Sequence, residues 1–208
     1  SGNETWKETN VTERSFSGFF LSMQEFDGEL AIAHQYSGLG DRKLGYTRKI
    51  NGTWETEELD SSSGTGLGAG MYSSLTTLDG EPVIFYHTAE GDQFVKTQRT
   101  NGTWEREVLQ TETGQFISSD SCGEEAYVIY RSRENQSIQR GTLSEEGWSS
   151  QIIEGDTGSA TDVDADECEF KGAFHNTVSG QITYLGEERQ EIASGRFSRL
   201  SLSENERA

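Results

Sequence analysis

The sequence predicts an all-β protein: a small β-propeller of four four-stranded antiparallel blades, with five blades as the alternative count. Three observations predict it. Aromatic anchors recur at near-constant intervals, each interval divides into four short strands, and no window carries an amphipathic helical stripe of useful length.

The anchors come first. Asn51-Gly52-Thr53-Trp54 and Asn101-Gly102-Thr103-Trp104 are identical, and each precedes an acidic, alternating stretch. Gly147-Trp148 and Glu4-Thr5-Trp6 are weaker copies, and Gly195-Arg196-Phe197 is a fifth with Phe for Trp. The spacings from Trp6 to Trp54, Trp104, Trp148 and Phe197 are 48, 50, 44 and 49 residues. A four-stranded unit of roughly 40–50 residues is the size of a propeller blade, and β-solenoids repeat at shorter periods.

The second interval shows the strands most clearly. Tyr72 to Leu78 alternates and stops at the hairpin signal Asp79-Gly80. Pro82 to His87 is a nearly continuous apolar run, as expected of a strand covered on both faces by neighbouring blades. Gln93 to Arg99 returns, Asn101-Gly102 turns again, and Trp104 to Leu109 completes the sheet. The buried second strand recurs as Leu30–Ala33, Ala126–Tyr130 and Phe170–Phe174. The whole chain, 1–208, reads as one domain with units at 14–60, 61–110, 111–154 and 155–204 and an extra N-terminal strand at 4–13. Phe197 is expected to open the last outer strand.

The run Gly-x-Trp, alternating Ser/Leu, Asp-Gly-x-Pro and an apolar strand resembles the sialidase-like (BNR, or Asp-box) propeller repeats. A full Asp box, Ser-x-Asp-x-Gly-x-x-Trp, is shortened here to Asn-Gly-Thr-Trp at Asn51 and Asn101 and degraded at Glu146-Gly147-Trp148. The resemblance implies architecture more than activity. An active sialidase is expected to carry an Arg-Ile-Pro signature and three clustered arginines. The single proline, Pro82, sits in Glu81-Pro82-Val83, so that signature is missing.

Composition narrows the function. With 36 acidic and 17 basic residues the formal charge is −19, which repels phosphate backbones and argues against a nucleic-acid partner. No stretch approaches the roughly 18–20 apolar residues of a membrane span. Ser1-Gly2-Asn3-Glu4 lacks the basic flank and apolar core of a signal peptide, so any leader or anchor is expected to lie outside this sequence. An acidic, lysine-poor, Ser/Thr-rich surface fits a halophilic source. Asn-x-Ser/Thr glycosylation acceptors stand at Asn3, Asn10, Asn51, Asn101 and Asn135, five of the seven asparagines, which favours an extracellular or cell-surface glycoprotein. Cys122 and Cys168 fall near the same turn in consecutive units. They are expected to form a disulfide that staples adjacent blades; two separate thiols are the alternative.

Two clusters are candidates for chemistry. His34, His87 and His175 each end a second strand, with Arg131 in the fourth unit's slot; one ring-shaped layer of them would suit an anionic ligand such as an acidic glycan. Loop capping by each residue is the plain alternative. Asp162, Asp164 and Asp166 alternate along one strand face, a pattern suited to Ca²⁺ and similar to the Asp-x-Asp-x-Asp loops of integrin-type propellers. Glu167 replaces the glycine of such loops, and a solvated channel strand is the alternative. No Gly-x-Ser-x-Gly elbow is present and no carboxylate pair is marked out. The expectation is a non-enzymatic binding or adhesion module for a glycan or surface protein. A sialidase-like hydrolase or lyase, or a structural, homo-oligomerising domain, are the alternatives.

Overall fold

The computed structural model describes residues 8–12, 17–26, 28–37, 41–61, 68–155, 158–165, 168–186 and 189–194. Among these residues no α-helix occurs, and sixteen strands form four separate antiparallel sheets in simple meander order. Blade 1 comprises β1 (Ser17–Phe26), β2 (Glu29–Ser37), β3 (Arg42–Ile50) and β4 (Thr53–Ser61). Blade 2 comprises β5 (Met71–Leu78), β6 (Glu81–Thr88), β7 (Gln93–Thr100) and β8 (Thr103–Thr111). In blade 3 the strands are β9 (Thr113–Cys122), β10 (Glu125–Ser132), β11 (Ile138–Ser144) and β12 (Gly147–Glu154). Blade 4 consists of β13 (Ser159–Asp164), β14 (Lys171–Asn176), β15 (Gln181–Leu185) and β16 (Arg189–Ser194). The last outer strand opens at Arg189, and Phe197 lies outside the described residues.

The first strand of each sheet is innermost. Stretches of β1, β5, β9 and β13 together line an axial cavity of about 1040 Å³. Consecutive inner strands are neighbours, β1 to β5 to β9 to β13, and the four sheets form an open arc. The arc is held by three apolar seams. Ala31, Ala33, Leu44 and Tyr46 meet Leu75, Ile84 and Tyr86 between blades 1 and 2. Val83, Phe85 and Phe94 meet Val128, Tyr130 and Leu143 between blades 2 and 3. Tyr127, Ile129 and Ile138 meet Val163 and Phe174 between blades 3 and 4. Because side chains alternate along a strand, each second strand serves both seams at once: Ile84 and Tyr86 face back, Val83 and Phe85 face forward. The continuous apolar run at Pro82–His87 exists for this reason.

Trp104 and Trp148 pack against the first and second seams. Trp104 packs edge-on against Tyr46 at 4.9 Å, and its indole N–H donates to Glu57 at 3.1 Å. Trp148 lies among Phe85, Phe94 and Tyr130, with centroid separations of 6.0, 5.5 and 6.1 Å. A Cβ at Gly141 would fall 2.0 Å from its ring, so glycine is required beneath it.

A second repeat, tied to the inner strands, runs through all four blades. Gly18-Phe19-Phe20, Gly70-Met71-Tyr72, Gly114-Gln115-Phe116 and Gly158-Ser159-Ala160 share one backbone course, with the first and third residues at positive φ. The third residue of each triplet falls within the register shift that each inner strand makes against its second strand, a β-bulge. Hydrogen bonds between blades follow the same count. The hydroxyls of Ser73 and Thr161 donate to the carbonyls of Phe20 and Phe116 in the preceding blade. The Leu75, Ser119 and Val163 amides donate to Ser22, Ser74 and Ser118 at 2.9, 2.9 and 3.3 Å. Inner-strand serines thus satisfy polar groups that the seam buries.

Cys122 and Cys168 are joined as a disulfide, with Cα atoms 5.1 Å apart. The bridge ties the end of β9 to the segment before β14, clamping blade 3 to blade 4. Closing a loop of that length removes about 4 kcal/mol of chain entropy from the unfolded state.

Candidate functional site

The inner strands begin and the second strands end at one mouth of the arc. Three aromatic side chains line it. Phe20, Tyr72 and Phe116 occupy the same left-handed backbone position in blades 1, 2 and 3, at φ of 51°, 53° and 50°. Their rings form a row, with Phe20 to Tyr72 at 4.9 Å and Tyr72 to Phe116 at 5.1 Å. Phe20 is 37% exposed and the other two are half-buried. A bulky side chain at positive φ costs of order 1–3 kcal/mol, and three copies of that cost are concentrated in one row. In blade 4 the position is Ala160, also left-handed, so the row ends there.

Behind the row lies the slot for which the histidines are candidates, and register decides its membership. Gln35 pairs with Phe19, His87 with Met71, Arg131 with Gln115 and His175 with Ser159. The blade 1 member is therefore Gln35, and His34 lies one residue earlier. A one-residue offset turns a side chain to the other face of its sheet. His34 accordingly points away from blade 2, buried between Ser17 (Nδ1 to Oγ, 3.0 Å) and Thr47 (Nε2 to Oγ1, 2.8 Å). Burial lowers its pKa below the usual histidine value. The single layer of three histidines and an arginine is thus corrected to Gln35, His87, Arg131 and His175.

Each of these caps neighbouring structure. The Gln35 amide donates to the Ala69 carbonyl at 2.7 Å, and Arg131 donates to Gln115 at 3.0 Å. His175 Nδ1 lies 3.1 Å from the Ser159 hydroxyl. His87 Nε2 meets Asp92 Oδ1 at 2.6 Å, and the other oxygen of Asp92 accepts from Arg133 of blade 3 at 3.1 Å. Burial is the main influence on His87 and lowers its pKa; the Asp92 carboxylate opposes that shift. With Nε2 donating to Asp92, the buried Nδ1 of His87 and Nε of Arg131 have no hydrogen-bond partner among the described residues. Tyr72 lies over the His87 ring edge at 6.5 Å, so the aromatic row and this polar slot are contiguous.

Asp162 and Asp164 lie on β13 and line the axial cavity; Asp166 lies outside the described residues. Asp162 accepts from Ser118 at 3.1 Å, and on β9 Asp120 accepts the Ala165 amide at 2.8 Å. These carboxylates belong to the seam hydrogen-bond pattern. Among the described residues, no three acidic, histidine or cysteine side chains are placed to hold a metal ion.

Asn51 and Asn101 occupy exposed hairpin turns at φ of 50° and 51°, and Asn10 and Asn135 are also exposed. The Asn135 side chain accepts the Ser137 amide at 3.2 Å. Asn3 lies outside the described residues.

The aromatic row is not legible from the Trp spacing. Its signal, Gly-x-Phe/Tyr ahead of a serine-rich strand, recurs on its own register.

No family model and no curated protein matches the chain. Solved structures do match. A microbial sialidase, Hadza microbial sialidase Hz136, superposes with a TM-score of 0.61 at 11% identity, over 88% of this chain and 48% of that one. The six-bladed fucose-recognising lectin of the fungus Aleuria aurantia gives 0.55 at 11% identity, over 89% and 64%. A chain of the nidogen/laminin complex gives 0.51 at 16%, over 84% and 65%. This chain thus spans from about half to just under two thirds of each of these structures. At such identities the likeness establishes the fold alone: the chain is a β-propeller of four described blades.

Proposed function

We propose that this chain is a non-enzymatic binding module of an exported protein, and that it recognises a neutral glycan at the mouth bearing Phe20, Tyr72 and Phe116. The row of rings carries the reading. Aromatic faces stack on the apolar C–H faces of sugar rings, and the adjoining slot at His87, Asp92 and Arg133 offers donors and acceptors for hydroxyls. Spending backbone strain at three equivalent positions to aim rings at one opening is the pattern expected of a binding surface. The formal charge of −19 disfavours a polyanionic ligand, which narrows the acidic-glycan expectation to an uncharged one. A fucose-recognising lectin and a sialidase among the structural neighbours, the disulfide and the exposed acceptor asparagines support an exported carbohydrate-binding role.

The test is a glycan array followed by calorimetry on the best neutral oligosaccharide. Tyr72→Ala, at the centre of the row, should weaken binding at least ten-fold while leaving the circular dichroism spectrum intact. Binding that survives Tyr72→Ala and Phe116→Ala together, or binding confined to a protein ligand, would refute the assignment.

A further inference from the structure

The side of blade 1 that faces away from blade 2 is built like the receiving half of a seam. Three positions show this independently. At the inner strand, Leu75, Ile117 and Val163 are 3%, 9% and 8% exposed because they pack on the preceding blade. Blade 1 keeps apolar residues in the matching positions, Met23 for Leu75 and Val163 and Leu21 for Ile117, yet these are 62% and 63% exposed. Leu30 beside them is 40% exposed, whereas its counterpart Ala126 is fully buried.

The third strand of a preceding blade has its own contact. A Cβ on Gly70, Gly114 or Gly158 would strike Leu44, Phe94 or Ile138, each from the third strand of the blade before, at 3.1, 2.8 and 2.1 Å. Gly18 keeps the glycine and the positive φ of 98°, but its Cβ would meet nothing within 4 Å.

The outer strand supplies the third observation. Across the two seams between blades that carry Trp, the residue six after one blade's Trp meets the residue two after the next blade's Trp. Asp60 accepts from Arg106 at 2.9 Å, and Gln110 donates to Ser150 at 2.8 Å. Thr12 stands six after Trp6, Thr56 stands two after Trp54, and their hydroxyls are joined at 3.4 Å. Thr12, in a described stretch Glu8–Thr12 that forms no strand, therefore meets blade 1 where the matching outer-strand residue of a preceding blade would.

We propose that the segment around Glu8–Thr12 is the outer strand of a further blade, and that the three strands preceding it in the same polypeptide seat on Leu21, Met23 and Leu30. Chain order supports this source. Every described sheet is built of four consecutive strands running from inner to outer along the sequence, and strands placed before Thr12 continue that pattern. A second copy of the chain is the poorer fit. The arc superposes on a six-bladed propeller over 64% of that structure, and the remaining third is too small for four more blades.

Met23 and Met71 are the only methionines, which makes one internally controlled experiment available. Limited peroxide oxidation, mapped by mass spectrometry, reports Met23 exposure against Met71, which is 9% exposed. In the 208-residue chain Met23 should oxidise at least ten-fold faster than Met71. In a chain extended upstream by a copy of β9–β11, Met23 should fall to the Met71 rate, and Leu21→Glu in that extended chain should restore fast oxidation. Fast Met23 oxidation in an extended chain whose Met71 stays protected would overturn the proposal. So would protection in the unextended chain: independent of concentration it would mean another segment of this chain covers the face, and dependent on concentration it would mean a second copy. If the extension disturbs the fold, as Met71 would report, Thr12→Cys with Thr56→Cys in the unextended chain decides. Failure of that cross-link to form removes the outer-strand assignment.

Discussion

The seam between blades 2 and 3 and the open side of blade 1 use matching inner-strand positions and the same kinds of residue, yet the apolar residues of one are buried and those of the other are exposed. Ile117 is 9% exposed in the seam, while Leu21 at the matching position of blade 1 is 63% exposed. The difference is not in local sequence or in strand geometry. It lies in whether a neighbouring sheet is present. A propeller blade has two apolar faces and cannot bury both by itself, so each blade's stability is partly its neighbour's.

The largest effect expected from this contrast is in truncation. Phe94→Ala should cost about 3–5 kcal/mol, since it empties the centre of a closed seam, while Met23→Ala should stay under about 0.5 kcal/mol. Urea unfolding of both variants measures this; equal costs would mean that the two faces are buried alike in solution. A smaller effect separates two glycines with the same backbone. Gly158→Ala and Gly18→Ala both force a side chain into a left-handed conformation, but only the first also drives a Cβ into Ile138. The excess cost of Gly158→Ala should be about 1–3 kcal/mol, the usual penalty of overpacking. In a chain extended by a preceding blade the excess should shrink, because Gly18 would acquire its own contact.

The smallest effect is in pH. His34, on the open side, and His87, in the slot between blades 2 and 3, both have pKa values lowered by burial. The unfolded chain then takes up protons first as pH falls through the ordinary histidine value near 6.5, so the fold loses stability from there downward and keeps it above. The Asp92 carboxylate favours the charged form of His87, whereas His34 has two hydroxyls and the Gln35 backbone beside it in place of a carboxylate. His34→Gln should therefore flatten the stability profile between pH 7.5 and 5.5 more than His87→Gln does. The reverse order, read by thermal melts across that range, would show that Asp92 counts for less than burial.

Much of this arrangement was legible in the residues. The Trp spacing marked the outer strands, Asp79-Gly80, Asn51-Gly52 and Asn101-Gly102 marked hairpins, and the run at Pro82–His87 marked a strand covered on both faces. Those signals are local, set by φ preferences and by alternation, and they survive without knowledge of the neighbours. The cysteine pairing was legible too, because two turns at matching places in adjacent repeats are brought together by the repeat itself. The histidine layer was misjudged by one position at His34, since His34 ends an apolar run just as His87 does and only the pairing of Gln35 with Phe19 and of His87 with Met71 shows which positions match. The aromatic row went unseen because Phe20, Tyr72 and Phe116 are 52 and 44 residues apart and follow glycine rather than tryptophan.

By itself the sequence determined that the chain makes repeated four-stranded sheets with two apolar faces each, because alternation and turn chemistry act over a few residues. Only the tertiary structure decided which faces meet, which carboxylates become seam acceptors, and which apolar residues are left for another sheet. Those outcomes depend on register and on the angle between blades, and both are fixed by contacts between residues about 45 positions apart.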